Sequence, residues 1–496
     1  MLWQNIPILL IVLPLGLSSL IALLRPRAAK LAVLGVISLC TAGALYLLIR
    51  VNALGEAFTV KMGEVGAPFG NELYVSNTEA LLCLAFDAIM LLSLLAGMRR
   101  ADEEIPEDRK SLFFTVCSLL LAALNAITLT NDIFSGYVFL EIATIAAAAL
   151  IFVRRGEGAL FASMRYMLMN LLGSGLFLLG LSMMYSLTGE LLFPQMLGRS
   201  KAILADGRYT GALSACLILL SLGLAVKSAL YPFHTWLPNA YSLSTPAASS
   251  LLSSLVSKAY IFLFIKIMLR GAGLEAFSES GAANVILVYA VLAIVIGSVD
   301  AIQQHNIRRM VSYSSVAQIG YIFMAAALGT KEGCAAAVFQ ILAHSFAKAM
   351  LFPAVDRLVE VSGGEENFRD LRGSGYRAPL AGAAFAIGAF SITGIPLLGG
   401  FSAKVFISEA AWAAGGLRMY LALAALAVST VLNVIYFLRT MITVYRRGER
   451  FELKPAGNRP FSFTLGVGFF ALVNLYLGMG AGNVMDIILR GINIWN

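Results

Sequence analysis

The chain has 496 residues, 59% hydrophobic and 13% charged, with a formal net charge of +8 and a mean hydropathy of +0.83. Soluble domains are about 45–50% apolar and about 25% charged, so this composition excludes a soluble globular protein and predicts a polytopic helical membrane protein. The basic excess gathers in short stretches between apolar runs, as cytoplasmic loops require, which argues against nucleic acid as a partner.

With roughly 20 residues per crossing, about fourteen membrane helices are predicted. Their centres fall near Leu13, Ser38, Ala88, Leu120, Ile142, Leu176, Leu220, Val256, Val291, Gln318, Ile341, Ser391, Val428 and Leu472. The first run lacks a basic leader and reads as a retained helix rather than a cleaved signal. Arg25, Arg27 and Lys30, Arg99 and Arg100, Arg154 and Arg155, Arg308 and Arg309, Arg369, Arg372 and Arg377, and Arg446, Arg447 and Arg450 all follow odd-numbered helices. The positive-inside rule then puts those loops in the cytoplasm and both termini outside. Arg199, Lys201 and Arg208, in the loop between the sixth and seventh helices, run weakly against it. No long soluble domain interrupts the chain, and no amphipathic helix is expected after the fourteenth span.

Two spans carry internal breaks. The seventh breaks around Tyr231-Pro232, just after Lys227, in a stretch that also holds His234 and Pro238. The twelfth breaks at Thr393-Gly394-Ile395-Pro396 and again at Gly399-Gly400, before Lys404. If helices four to eight and nine to thirteen are repeats, seven and twelve correspond. Five is odd, so the second repeat is inverted in the membrane. This divides the chain into 1–110 (helices one to three), 111–271 and 272–446 (the two repeats), and 447–496 (a loop and the last helix). Paired interrupted helices point to a transport site at the repeat interface, whereas the plain alternative is that Gly and Pro are common in membrane helices.

The ionisable residues inside apolar runs weigh toward transport, because charge in hydrocarbon is costly and marks ion or proton paths. Glu141 lies in GYVFLEIATIAAAAL, and Lys227 is its natural partner, although a lysine near a helix end can also snorkel to the interface. Lys258 is too central for that. Lys404 lies well inside its run. His344 and Lys348, four apart, share one helix face, and histidine is suited to relaying protons, though a lone one on an apolar face is more often structural. Asp300 is close enough to the HNIRR loop to be an interface residue pairing with Arg, with its role left open; Asp87 has no assigned place; His234 either lines a cavity or caps a half-helix. Burial disfavours a charged lysine and a carboxylate partner restores it, so opening and closing a Glu–Lys pair can load and expel a proton. Moving one proton against roughly 100 mV costs about 2.3 kcal/mol.

The five cysteines (Cys40, Cys83, Cys117, Cys216, Cys334) are scattered and form no C-x-x-C pair, so iron–sulfur or zinc ligation is not expected. There is no P-loop and no dinucleotide fingerprint. No cofactor is expected in this chain, and electrons or ATP, if they drive it, belong to other subunits.

Four ordered motifs are similar to one family. KSALYPFHTWLPNAYSLSTPAASSLLSSLVSK, AIQQHNIRRMVSYSSVAQIGYI, HSFAKAMLF and GIPLLGGFSAKVF resemble the antiporter-like subunits shared by respiratory complex I, membrane-bound hydrogenases and Mrp-type Na+/H+ antiporters. The likeness covers about Leu112 to Tyr445. Asn239, Asn306 and Arg308 stand where Asp, Asp and Lys are more usual. The resemblance implies an all-α fold of fourteen spans with two inverted five-helix repeats and a proton route along the membrane midplane. By position it makes Glu141 and Lys227 the pair at the first broken helix, Lys258 the central lysine, His344 and Lys348 the link, and Lys404 the terminal lysine. Pro232, His234, Pro238, Gly394, Pro396, Gly399 and Gly400 belong to the broken helices. Lysine at 404 resembles the complex I N-type or the Mrp D-type subunit. Two functions follow as expectations: a proton-translocating subunit of a redox-driven complex, or a D-type subunit of a Na+/H+ antiporter without a redox partner. A scaffold that has lost pumping is the third reading, which the retained charges oppose. The partners implied are other membrane subunits, protons and, as a second ion, Na+, in a bacterial or archaeal cytoplasmic membrane, with an organellar inner membrane left open.

Overall fold

A computed structural model describes residues 2–62, 70–154, 156–446 and 461–494; Arg155, Arg447 and Arg450 lie outside the described residues. Among those described, 12 helices are long and apolar enough to cross a membrane, and every expected centre falls within a helix. Two of those centres lie in helices outside the twelve. Gln318 sits in Ile307–Ala326, which carries Arg308, Arg309 and a run of serines, and Ser391 sits in the short Pro379–Thr393. The chain is therefore a nearly all-helical, multi-pass integral membrane protein.

Two helices run through the middle, and the most apolar stretch of each is entirely buried: Pro246–Ala272 and Lys331–Glu360. The surrounding helices turn Leu, Phe and Met outward, as in Leu160, Phe161, Met164, Leu168 and Leu171 on Glu157–Thr188. A bilayer accepts that surface without cost, so the sorting is polar inward and apolar outward. Lys258, His344 and Lys348 belong to the two enclosed helices.

The first break is a true interruption. Helix Thr210–Lys227 stops at Lys227, Ala229 takes a left-handed φ of 61°, and the Tyr231-Pro232 peptide is cis. A 3-10 turn, Phe233–Trp236, then leads into the short helix Leu237–Leu243, with Pro238 in its first turn. Proline suits a helix start because the missing N–H has no partner there.

At the second break the sequence expectation needs correcting. The helix is interrupted once, between Thr393 and Gly399, with left-handed Gly394 and Leu397 around Pro396. Gly399-Gly400 opens the second half, Gly399–Ala414, and is not a further break. Its glycines serve close approach. A Cβ on Gly400 would stand 1.8 Å from the Ser391 carbonyl oxygen, and one on Gly399 would stand 2.8 Å from Leu477 Cβ.

Three other elements depart from the sequence reading. Two short strands, Phe58–Met62 and Asn71–Val75, pair antiparallel. The presumed loop around Arg199 and Lys201 is a helix, Phe193–Asp206. A helix does follow the last span: Ala481–Asn493 buries Val484, Met485, Ile488 and Ile492 along one stripe and packs on Asn77–Glu104 and Lys331–Glu360. Thr78 Oγ1 donates to the Ile488 carbonyl at 3.0 Å. At 13 residues it is too short to register as a span, and its apolar spacing of three and four shows only when that periodicity is sought.

Candidate functional site

The first broken helix ends in an ion pair. Lys227, fully buried, has its Nζ 3.0 Å from Glu141 Oε1, whose side chain keeps 28% exposure. Glu141 also accepts from Ser174 Oγ at 2.6 Å, and Lys227 donates to Thr144 Oγ1 at 3.0 Å. Close packing fixes the lysine in place: Gly173 lies where a Cβ would come within 2.8 Å of the Lys227 side chain. The expected partnership is thus present in the geometry. It also satisfies the rule that a charge buried at membrane depth has a partner.

From this pair the polar contacts continue inward. Thr144 Oγ1 lies 3.1 Å from the hydroxyl of Tyr260, two residues beyond Lys258 on Pro246–Ala272. That helix widens into a π turn over Leu252–Val256, and Lys258 Nζ donates to the Ser253 carbonyl. Ser253 Oγ meets Ser315 Oγ at 3.2 Å, and Ser345 Oγ donates to the Ser254 carbonyl at 2.6 Å. His344 and Lys348 both lie within electrostatic range of Lys258. Lys348 Nζ donates to Ser314 Oγ and to the Val311 carbonyl, each at 2.6 Å. Neither ring nitrogen of His344 has a hydrogen-bond partner among the described residues.

The far end differs. Lys404 Nζ donates to the Thr393 carbonyl at 2.7 Å and to Thr430 Oγ1 at 3.0 Å, and sits 5.6 Å from the Tyr321 ring. No carboxylate pairs with it among the described residues. Tyr436, beside Ser314, donates to Asn433 Oδ1 at 2.6 Å, and Tyr321 lies beside Asn433 and Thr430. These side chains span the gap between Lys348 and Lys404.

The structure therefore arranges Glu141, Lys227, Lys258, His344, Lys348 and Lys404 in a row whose inner members, Lys227, Lys258, His344 and Lys348, are buried and whose ends, Glu141 and Lys404, are partly exposed. Sequence reasoning missed the neutral members, Thr144, Tyr260, Ser314, Tyr321, Thr430, Asn433 and Tyr436. Their signal was present as hydroxyls and amides inside apolar runs, with Thr144 one helical turn from Glu141. It also missed Lys266, fully buried two turns beyond Lys258, which donates to the carbonyls of Thr128, at 2.8 Å, and Thr130.

His234 stands apart from the row. It stacks on Tyr231, and its Nε2 lies 3.6 Å from Asp300 Oδ2, so Asp300 pairs with this histidine and not with an arginine of the HNIRR loop. The loop's Arg308 instead pairs with Asp356 at 2.6 Å and Glu366 at 3.1 Å. Asn239 accepts from Arg309 at 3.0 Å, a neutral contact where the resemblance leads one to expect an acid. Asp87 is fully buried beside Asn125. Among the described residues, no group of three or more His, Cys, Asp or Glu is placed to hold a metal ion.

A multi-pass helical protein with two interrupted helices and an interior row of lysines defines a class of ion-conducting membrane subunit. The family described as NADH:quinone oxidoreductase/Mrp antiporter, transmembrane, matches residues 130–432, and the chain belongs to it. It is 28% identical to the N-type subunit of the NADH-quinone oxidoreductase of Desulforudis audaxviator, over 96% of this chain and 94% of that one. It is 26% identical to the D-type subunit of a Na(+)/H(+) antiporter of Bacillus subtilis, over 84% and 83%. A chain in the structure of the membrane-bound sulfane sulfur reductase, an archaeal respiratory membrane complex, superposes with a TM-score of 0.87 at 27% identity, covering 99% of this chain and 97% of that one.

Proposed function

We propose that this chain is a proton-translocating membrane subunit of a multisubunit, redox-driven complex, and that protons pass along Glu141, Lys227, Lys258, His344, Lys348 and Lys404. The observation that carries the reading is the 3.0 Å Glu141–Lys227 pair at a helix break. A buried lysine held by one carboxylate gives up its proton when the two separate and regains it when they close. Thr144 and Tyr260 carry hydroxyl contacts from Lys227 to the helix that holds Lys258. The broken helices supply the irregular backbone at depth, which is tolerated where protein or water satisfies it. His234, with Pro232 and Pro238, shapes the first break, and Gly394, Pro396, Gly399 and Gly400 shape the second.

Electron carriers lie on partner subunits in this reading, and the chain itself holds no cofactor. It sits in a bacterial or archaeal cytoplasmic membrane with both termini outside. Residues 111–271 and 272–446 act as the two inverted repeats, flanked by 1–110 and 447–496. The second reading, a D-type subunit of a Na+/H+ antiporter without a redox partner, is favoured by the likeness to the Bacillus subtilis protein.

The test is proton translocation by the assembled complex in reconstituted vesicles. Lys227→Ala and Glu141→Ala each abolish it while leaving assembly intact. Full pumping by both variants removes the pair from the route.

A further inference from the structure

Away from the interior row, four helix ends enclose a hollow of about 770 Å³ on the protein's outer surface. Its lining is sorted by depth. Asn284, Thr330 and Arg418 lie within about one turn of the ends of Ala282–Gln303, Lys331–Glu360 and Gly416–Tyr445, whereas Leu287, Val288 and Leu421 stand further into those apolar spans or on their lining faces. The hollow therefore has a polar mouth above an apolar wall.

Among the described residues, Arg418 is the only charged side chain in that lining. Its Nε donates to Asn284 Oδ1 at 3.1 Å and one Nη to the Leu328 carbonyl at 3.2 Å, and both of these acceptors are neutral. The guanidinium packs against Gly329, where a Cβ would come within 3.0 Å of it. A long basic side chain at a membrane interface normally snorkels into water. This one is held inside the hollow by two hydrogen bonds and keeps donors and charge to spare. Exposed Trp412 and Tyr420 flank it in sequence, residue types that favour the headgroup level of a bilayer.

We propose that this hollow binds one anionic phospholipid, with the phosphate on Arg418 and an acyl chain along Val288 and Leu421. Planar guanidinium–phosphate pairing gives the headgroup two parallel hydrogen bonds, and the apolar wall continues the surface that acyl chains already cover. Two features favour a lipid over a free phosphate: the apolar lining is part of the same cavity, and the cavity opens at the ends of membrane-length helices.

The test counts phospholipid retained by the full chain in its native assembly after detergent washing, by mass spectrometry. The assembly is first equilibrated in vesicles of phosphatidylcholine with a minor share of phosphatidylglycerol. Arg418→Gln lowers retained phosphatidylglycerol by about fivefold, the scale of one interfacial basic residue. Arg208→Gln, which removes a side chain that is 80% exposed, leaves retention unchanged. Val288→Trp, which fills the apolar wall without touching the charge, lowers it as Arg418→Gln does. Equal retention in Arg418→Gln, equal retention of phosphatidylcholine, or displacement by millimolar inorganic phosphate overturns the proposal, the last by identifying a free-phosphate site.

Discussion

The two broken helices look alike in the chain and hold their lysines differently. Lys227 closes its first half-helix, fully buried, with Glu141 at 3.0 Å. Lys404 lies in the second half of its helix and donates to a backbone carbonyl and a threonine hydroxyl. One charge is matched by a full opposite charge, the other only by dipoles. The same interruption therefore makes two sites of different character: one holds its lysine in an ion pair, and the other holds it on neutral acceptors with no carboxylate beside it among the described residues. Glu141 is partly exposed and Lys404 is not fully enclosed, so each end of the row reaches the side of the molecule. Those are the places where a neighbouring membrane subunit would complete it.

The Glu141–Lys227 pair is the more sensitive of the two sites. Lys227→Ala strands a carboxylate at membrane depth, with an expected loss of about 3 kcal/mol of stability, read by thermal unfolding of the purified complex. The double variant Lys227→Met with Glu141→Leu recovers most of that stability and none of the transport. If the double variant is no more stable than the single, the two side chains are not coupled. Next in size is Gly400→Ala. Its Cβ cannot share space with the Ser391 carbonyl, so the second half-helix shifts and stability falls by about 3 kcal/mol, near the upper end for overpacking; a Tm equal to wild type refutes the close approach.

Lys404→Ala sharpens the contrast from the other side. It removes only neutral partners, so its stability cost is about 1–2 kcal/mol, well under that of Lys227→Ala, while proton translocation is lost as completely. Normal transport in this variant takes Lys404 out of the route. The smallest effect is at Thr144→Val, which deletes one hydrogen bond to Lys227 and the contact with Tyr260. Stability falls by about 1 kcal/mol, and proton translocation is slowed but not abolished. An unchanged rate shows that protons do not use that hydroxyl.

The helices and the charged members of the row were legible in the sequence because both depend on composition at fixed spacing. A lysine such as Lys258 inside SSLVSKAYIFLF stands out against hydrocarbon whatever the fold around it. Its neutral neighbours do not, since a serine or tyrosine in an apolar run is cheap and common, and only the packing of separate helices brings Ser314, Tyr436 and Asn433 between Lys348 and Lys404. The partner of Asp300 is not legible in the sequence for a related reason. Proximity in sequence favoured the arginines of the next loop, whereas the break in the seventh helix carries His234 to it from far along the chain. Gly399-Gly400 reads as a break because glycine marks turns and close contacts alike, and the Ser391 carbonyl that decides between them lies across the interruption. The helix Ala481–Asn493 was overlooked since hydropathy windows of membrane length cannot register 13 residues with one apolar stripe.

The claim that these side chains form a single route rests most heavily on Lys258, which lies between the two broken helices and belongs to neither. The decisive measurement is proton uptake by reconstituted vesicles carrying the assembled complex with Lys258→Met, a change that keeps the side chain's length and removes its proton. An intact assembly with proton translocation abolished is expected. Translocation at the wild-type rate would contradict it, because protons would then be crossing without the residue that joins the two halves of the row.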